Sequence, residues 1–439
     1  MPIDMSTVPP TKPDAAATPR RAPLLALDEA LARLLAAVQP IAQHEAVSTF
    51  EALGRVLAAP VSSALDVPPG DNTSMDGYAL RAADVPEAGT VLRVSQRIPA
   101  GVVGQALEAG TAARIFTGAQ VPAGATAVVM QEQCEALDAG PDGLARVRVN
   151  LVPAEGAWIR RRGEDVQRGS VVLAAGSRLS AQALGLAASV GAAHLQVTRR
   201  PRVALFSTGD ELVMPGEVAP EQMRPGAIYN SNRYTLRALL QGLGCEVTDF
   251  GIVPDQREAT RATLREAAAG HDLILTSGGV SVGEEDHLRP AVQAEGSLDL
   301  WSIAMKPGKP LAFGSVRRPG EDGSSAWFVG LPGNPVSSYV TFLLLVRPVL
   351  LRLQGVASEA LAPRSYTLRA DFDWPRADAR REFIRVRLNE AGGLDSYPNQ
   401  SSGVLTSAVW GDGLVDIPAG TAFTRGTAVR YLPLRELLG

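Results

Sequence analysis

Two cysteines in 439 residues, Cys134 and Cys245, exclude a disulfide framework, and neither has the CxxC neighbour of a zinc knuckle. Histidine is almost as scarce: His44, His194, His271 and His287 are all there are. No stretch approaches the roughly 18 uninterrupted apolar residues of a spanning helix. The longest candidate, Val340 to Val346, is bounded by Arg347 and Pro348 and reads as a buried helix. An excess of basic charge is also absent. The net charge of −4 and pI near 5.8 argue against a nucleic-acid-binding surface, so an anionic ligand must be held by local devices. Residues 1–23 are Pro, Ala and Thr with no apolar core, which predicts a disordered tail rather than a secretory signal. These absences lead to the expectation of a cytoplasmic protein with no membrane or nucleic-acid partner.

What is present is a soluble composition, 46% hydrophobic and 20% charged, on a chain too long for one core. Asp28 is placed to cap a helix bearing Leu31, Leu34, Leu35 and Val38, and a second short helix is predicted over Phe50 to Leu57. Residues 24–66 and 163–198, with their Ala-rich helical text, are read as one discontinuous helical/β domain. Residues 67–162 are short strands between Gly and Pro turns, a β-rich domain. Residues 199–354 alternate strands (Val203 to Phe206, Cys245 to Val253, Leu273 to Thr276, Trp327 to Gly330) with helices (Asn232 to Gly242, Asp255 to Ala269). Asn334-Pro335 opens a further helix to Leu353. Residues 355–439 return to short strands. The predicted fold class is α/β multidomain, with a doubly wound, mostly parallel sheet and a small C-terminal β-domain.

The stretch TSGGVSVGEEDH, Thr276 to His287, poses the functional problem. A glycine-rich turn after a strand normally cradles an anion, yet this one runs into Glu284, Glu285 and Asp286. Gly279 to Gly283 also spells the serine-hydrolase elbow around Ser281. That fold takes its histidine from a separate late loop, and nothing beyond His287 can serve. A P-loop is excluded because no lysine follows Gly283 and no GxGxxG opens a helix. Acids also follow the other strands, at Asp210, Glu211 and Asp255. Singly, each reads as a helix cap. Together they would line one sheet edge, where like charges about 4 Å apart repel by about 4 kcal/mol at an effective dielectric near 20. A carboxylate rim facing a phosphate therefore calls for a bridging Mg²⁺. Lys306-Pro-Gly-Lys309-Pro310 offers two ammonium groups on a rigid turn, or else a plain turn with solvated lysines. Gly330 to Pro335 is a second anion-ready loop.

NTSMDGYA (Asn72–Ala79), RIFTGAQVP (Arg114–Pro122), RRRGED (Arg160–Asp165), STGDEL (Ser207–Leu212), SGGVSVGEEDH, KPGKP and GLPGNPVS (Gly330–Ser337) resemble the molybdopterin molybdenumtransferase family, of which the gephyrin C-terminal domain is a relative. The resemblance runs from about Leu24 to the C-terminus. It implies an enzyme that inserts molybdate into adenylylated molybdopterin with Mg²⁺ and releases AMP. It also implies a homodimer whose cleft lies between the doubly wound domain of one subunit and the β-rich domain of the other, with a transient contact to the molybdopterin adenylyltransferase. By motif, the implied functional residues are Asp76, Thr117, Asp165, Glu211, Asp255, Asp286 and Lys306. Glu211, Asp255 and Asp286 fall to the metal and pyrophosphate, Lys306 to an oxyanion, and Asp76, Thr117 and Asp165 are lent across the dimer. Ser277, Gly278, Gly279, Ser281, Lys309, Arg385 and Ser402 are the implied substrate contacts. Without the resemblance, Asp76 would be a turn residue and Asp165 a partner of Arg160 to Arg162. Ser302 stands where some members carry a second lysine, and Gly70 where phenylalanine is usual.

Two other readings compete. A competence-damage-type pyrophosphatase shares the doubly wound domain but lacks MDGYA, KPGKP and PGNPVS. A gephyrin-like scaffold would use the C-terminal region to bind peptides, but nothing here resembles the additional adenylating domain.

Overall fold

The computed structural model describes residues 24–279, 287–320 and 323–438. The described residues divide into two compact units: those of 24–39, 201–351 and 362–438 form one, and 40–200 with 352–361 form the other.

The second unit is built around a six-stranded sheet in the order Ala127–Met130, Gly77–Leu80, Thr111–Ile115, Thr90–Ile98, Arg146–Val149, Cys134–Leu137. All pairs are antiparallel except Thr90–Ile98 with Thr111–Ile115. Alternate residues of its strands fill two cores, Leu80, Val129 and Val147 on one face and Ala79, Ile115 and Val128 on the other. Beside it, His44–Ser48 pairs with His194–Thr198, and Val61–Ser62 with Val171–Leu173. The helix predicted over Phe50 to Leu57 is not there. A single 3₁₀ turn, Thr49–Glu51, is followed by Gly54 at φ 73°. The backbone then bonds sideways, Gly54 N to Leu179 O at 2.8 Å and Leu57 N to Ser177 O at 3.0 Å. Tertiary pairing displaces the helix that composition favours.

In the first unit, the doubly wound sheet runs Glu246–Val253, Arg202–Thr208, Leu273–Ser277, Ser325–Leu331, Pro310–Arg317, Gly296–Ser302. The first four strands are parallel and the last two form an antiparallel edge. The parallel strands are apolar on both faces, with Val203, Ala204, Leu205 and Phe206 all at 0% exposure, because helices cover both sides. The edge strand ends at Ser302. Met305-Lys306 instead pairs with Arg381–Leu388 in the C-terminal sheet, so the lysine turn is held between two sheets of this unit. That second sheet adds Gly413–Ile417, Ala428–Pro433 and Tyr366–Arg369, and two single-turn helices at Thr406–Trp410 and Leu434–Leu438 accompany it.

Asp28 is not the cap of its helix. Ala26 holds the N-cap of Leu27–Ala37, while Asp28 sits in the first turn, where its charge suits the dipole, and pairs with Arg381 at 3.0 Å. The helix from Pro335 to Leu353 has Pro335 at its first position, but the Asn334 side chain makes no capping bond. Its middle, Phe342–Val346, widens to a π-turn. Pro348 explains this, since it has no N–H to return to the preceding turn. This helix is long and apolar enough to cross a membrane, yet 89% of its apolar window is buried inside the fold, as expected of a core helix.

Candidate active site

The carboxyl ends of the parallel strands open into a cleft of about 810 Å³. Glu211 stands after the Arg202–Thr208 strand, and Asp255 two residues after Val253, ahead of the helix Arg257–Gly270 that sequence began at Asp255. Ser277, Gly278 and Gly279 close the third strand, and Pro332 to Pro335 follow the fourth. Two bonds tie these loops together: Gly278 N donates to Leu331 O at 3.1 Å, and Asn232 Nδ2 to Gly333 O at 2.7 Å. Gly278 and Gly279 must be glycine. They lie at φ 90° and 63°, and a Cβ would come 2.5 Å from Thr208 O and 2.7 Å from Thr208 Oγ1. The bare turn lets a ligand approach the backbone closely.

Lys306, Lys309 and Ser402 form the opposite wall. Lys306 is already engaged by carboxylates. Its Nζ lies 2.8 Å from Glu382 and 3.3 Å from Asp378, and Asp378 is shared with Arg380 at 3.0 Å. The Glu382 bond is the main reason its pKa rises, with Asp378 adding to it. Lys309, by contrast, enters no ion pair among the described residues, so its ammonium is the uncompensated positive charge of the cleft. Ser402 is anchored through its carbonyl, which accepts from Val336 N at 2.9 Å.

Arg385 does not line the cleft. It is 2% exposed, and its guanidinium donates to Ser407 Oγ at 2.9 Å and Ser401 O at 3.2 Å. Burial lowers its pKa to about 10. It braces the loop carrying Ser402 from behind. Ser281 and Asp286, with Glu284 and Glu285, lie outside the described residues.

In the other unit, Asp76 and Thr117 meet as the motifs suggest. Asp76 Oδ1 accepts from both the hydroxyl and the amide of Thr117 at 2.7 Å, and these bonds, the hydroxyl first, hold the carboxyl below its ordinary range. Asp165 is exposed and does not pair with the arginine run: Arg161 pairs with Asp71 at 2.7 Å and Arg162 with Asp66 at 2.6 Å.

Sequence reasoning missed Asn230, Asn232, Arg380 and Gln400 in the cleft wall. The polar run Tyr229-Asn-Ser-Asn232 directly before a helix was the available signal. Asn230 caps that helix through Oδ1 (Arg233 N, 3.1 Å), and its Nδ2, like Thr208 Oγ1, is buried without a protein partner among the described residues. Both atoms suit an oxygen-rich ligand or a bridging water. Among the described residues no three His, Cys, Asp or Glu converge as a ready metal cage. Glu211 and Asp255 both line the cleft, and Mg²⁺ needs only one or two carboxylates because it keeps several waters.

The fold and this cleft define a multidomain α/β protein with a ligand site at the carboxyl edge of a doubly wound sheet. Three family models cover nearly all of it: the MoeA N-terminal region (domain I and II) at residues 25–191, the probable molybdopterin binding domain at 204–352, and the MoeA C-terminal region (domain IV) at 367–434. The molybdopterin molybdenumtransferase of Haemophilus influenzae is 36% identical over 95% of this chain and all of its own. That of Nostoc is 37% identical over 86% of both. The crystal structure of the molybdopterin biosynthesis moeA protein from Pyrococcus horikoshii superposes with a TM-score of 0.78 at 29% identity, covering 94% of this chain and 100% of the other. The chain belongs to the molybdopterin molybdenumtransferase family, transferase enzymes of molybdenum cofactor biosynthesis.

Proposed function

We propose that this chain inserts molybdate into adenylylated molybdopterin and releases AMP in a Mg²⁺-dependent reaction. The observation that carries the reading is one cleft holding two carboxylates, Glu211 and Asp255, a Lys309 ammonium that makes no ion pair among the described residues, and a Cβ-free turn that a ligand can approach closely. Carboxylates suit a cation, and an ammonium beside a side-chain-free turn suits oxyanions, so the lining fits a phosphoanhydride and molybdate together.

Glu211 and Asp255, joined by Asp286, would hold Mg²⁺. When bound, the metal neutralises charge between the acids and the phosphate oxygens. The Ser277 to Gly279 turn, with Ser281, receives the phosphates. Lys309 takes an oxyanion, and Lys306, paired with Glu382 and Asp378, adds its charge to the cleft wall. Ser402 contacts the ligand while Arg385 positions its loop. Asp76, Thr117 and Asp165 serve the cleft of a partner subunit in a homodimer. The preformed Asp76–Thr117 pair and the exposed Asp165, which has no ion pair among the described residues, are consistent with groups that meet something outside their own unit. We read the four domains as 24–66 with 163–198, 67–162, 199–354 and 355–439. The protein would work in the cytoplasm, in transient contact with the molybdopterin adenylyltransferase that supplies its substrate.

The test is AMP release by purified protein supplied with Mg²⁺ and adenylylated molybdopterin, measured against molybdate concentration. Release should rise with molybdate and stop on chelation. A protein that binds the substrate yet yields no molybdate-dependent AMP would refute the assignment.

A further inference from the structure

Among the described residues one non-glycine residue has a positive φ: Trp158, at 56°. A bulky side chain is strained in this left-handed region, which glycine or asparagine enters at little cost. The turn demands it. Ile159 N returns to Gly156 O at 3.3 Å, and Trp158 O accepts from Ser74 N at 3.0 Å and Ser74 Oγ at 3.1 Å. The geometry could be had without strain by another residue, so the indole itself requires a reason.

Packing does not supply one. Trp158 is 42% exposed. The other four tryptophans are all engaged: Trp301 and Trp327 against Phe313, Trp410 against Tyr397, and Trp374 through Nε1 to Glu382 at 2.9 Å. The Trp158 ring has no such contact among the described residues. Its place in the fold is specific. Ser74, which grips its carbonyl, is two residues from Asp76, and Ile159-Arg160 pairs with Thr73-Asn72. Thr73 O in turn accepts from Gly118 N at 2.9 Å, beside Thr117. The backbone therefore fixes an exposed indole next to the Asp76–Thr117 pair.

We propose that Trp158 is a stacking surface for a fused heteroaromatic ring of the substrate, pterin or adenine, presented beside Asp76 and Thr117. The inference rests on the reading that this pair serves the transferase substrate. Stacking suits such a ring, because an indole face offers a large apolar area with little rotamer freedom to lose.

Trp158→Asn removes the ring and suits the left-handed turn. The variant should melt above the wild type, while its KM for adenylylated molybdopterin rises about tenfold or more, the loss expected for one stacked base. Trp158→Phe, which keeps a face, should stay within a few-fold of the wild-type KM. Fluorescence titration of the full chain with AMP, and separately with molybdopterin, identifies the ring: quenching that vanishes in Trp158→Asn marks the ligand that stacks. An unchanged KM in Trp158→Asn, with neither ligand giving Trp158-dependent quenching, would overturn the proposal. Wild-type protein without molybdate-dependent AMP release would sink the transferase reading instead, and the quenching arm would still decide Trp158.

Discussion

At the scale of single residues, the cleft separates two lysines that look equivalent in sequence. Lys306 faces Glu382, which is 3% exposed and also accepts from Trp374 Nε1. Lys306→Ala should therefore strand a buried carboxylate and lower stability by about 1–2 kcal/mol, less than for a fully buried pair because the lysine is half in solvent. Lys309→Ala should leave the melting temperature in place and weaken oxyanion binding. Denaturant unfolding and molybdate titration of the two variants would separate these outcomes. The raised pKa of Lys306 means its contribution is complete below its ordinary value of 10.5 and fades only as pH climbs past the raised one. Asp76 behaves in the opposite sense. Its lowered pKa keeps its contribution intact above 3.8, to be lost as pH falls through the folded value. Thr117→Val removes the hydroxyl donor, so the Asp76 carboxyl should titrate higher in a carbon-detected NMR experiment.

At the scale of elements, the strand-end loops carry the site, and their geometry tolerates little change. Gly278→Ala would place a Cβ against Thr208 O in a left-handed turn, so a cost of about 1–3 kcal/mol and a marked loss of activity are expected. Thermal unfolding beside AMP release would show both. The helix from Pro335 to Leu353 anchors the far wall of the cleft, and its Phe342 is fully buried. Phe342→Ala should cost about 3–5 kcal/mol by denaturant titration. Element type was legible wherever periodicity and turn residues agreed, as along Arg202–Thr208, Ser231–Gly242 and Leu273–Ser277. It was not legible at Phe50 to Leu57, where backbone bonds to residues 177–179 won, nor at Met305-Lys306, which leaves one sheet for another.

At the scale of the whole molecule, the proposed homodimer would lend Asp76 of one subunit to the cleft of the other. Mixing Asp76→Ala with Glu211→Ala subunits should restore about a quarter of the wild-type AMP release if clefts are shared, because one cleft in each random heterodimer is complete. No recovery, with subunit exchange confirmed by native mass spectrometry, would place both groups within one chain.

The sequence alone determined the family, the doubly wound sheet and the neighbourhood of Glu211, Asp255, Lys309 and Ser277 to Gly279. Strand-end loops of a parallel sheet must converge, and motifs mark those loops. Tertiary structure alone decided that Lys306 is already paired, that Arg385 lies behind the loop it supports, and that Asp165 stands apart from the arginines beside it. Each of these depends on which side chain, distant along the chain, comes within about 3 Å. That distance is a property of packing, and no spacing between neighbouring letters encodes it.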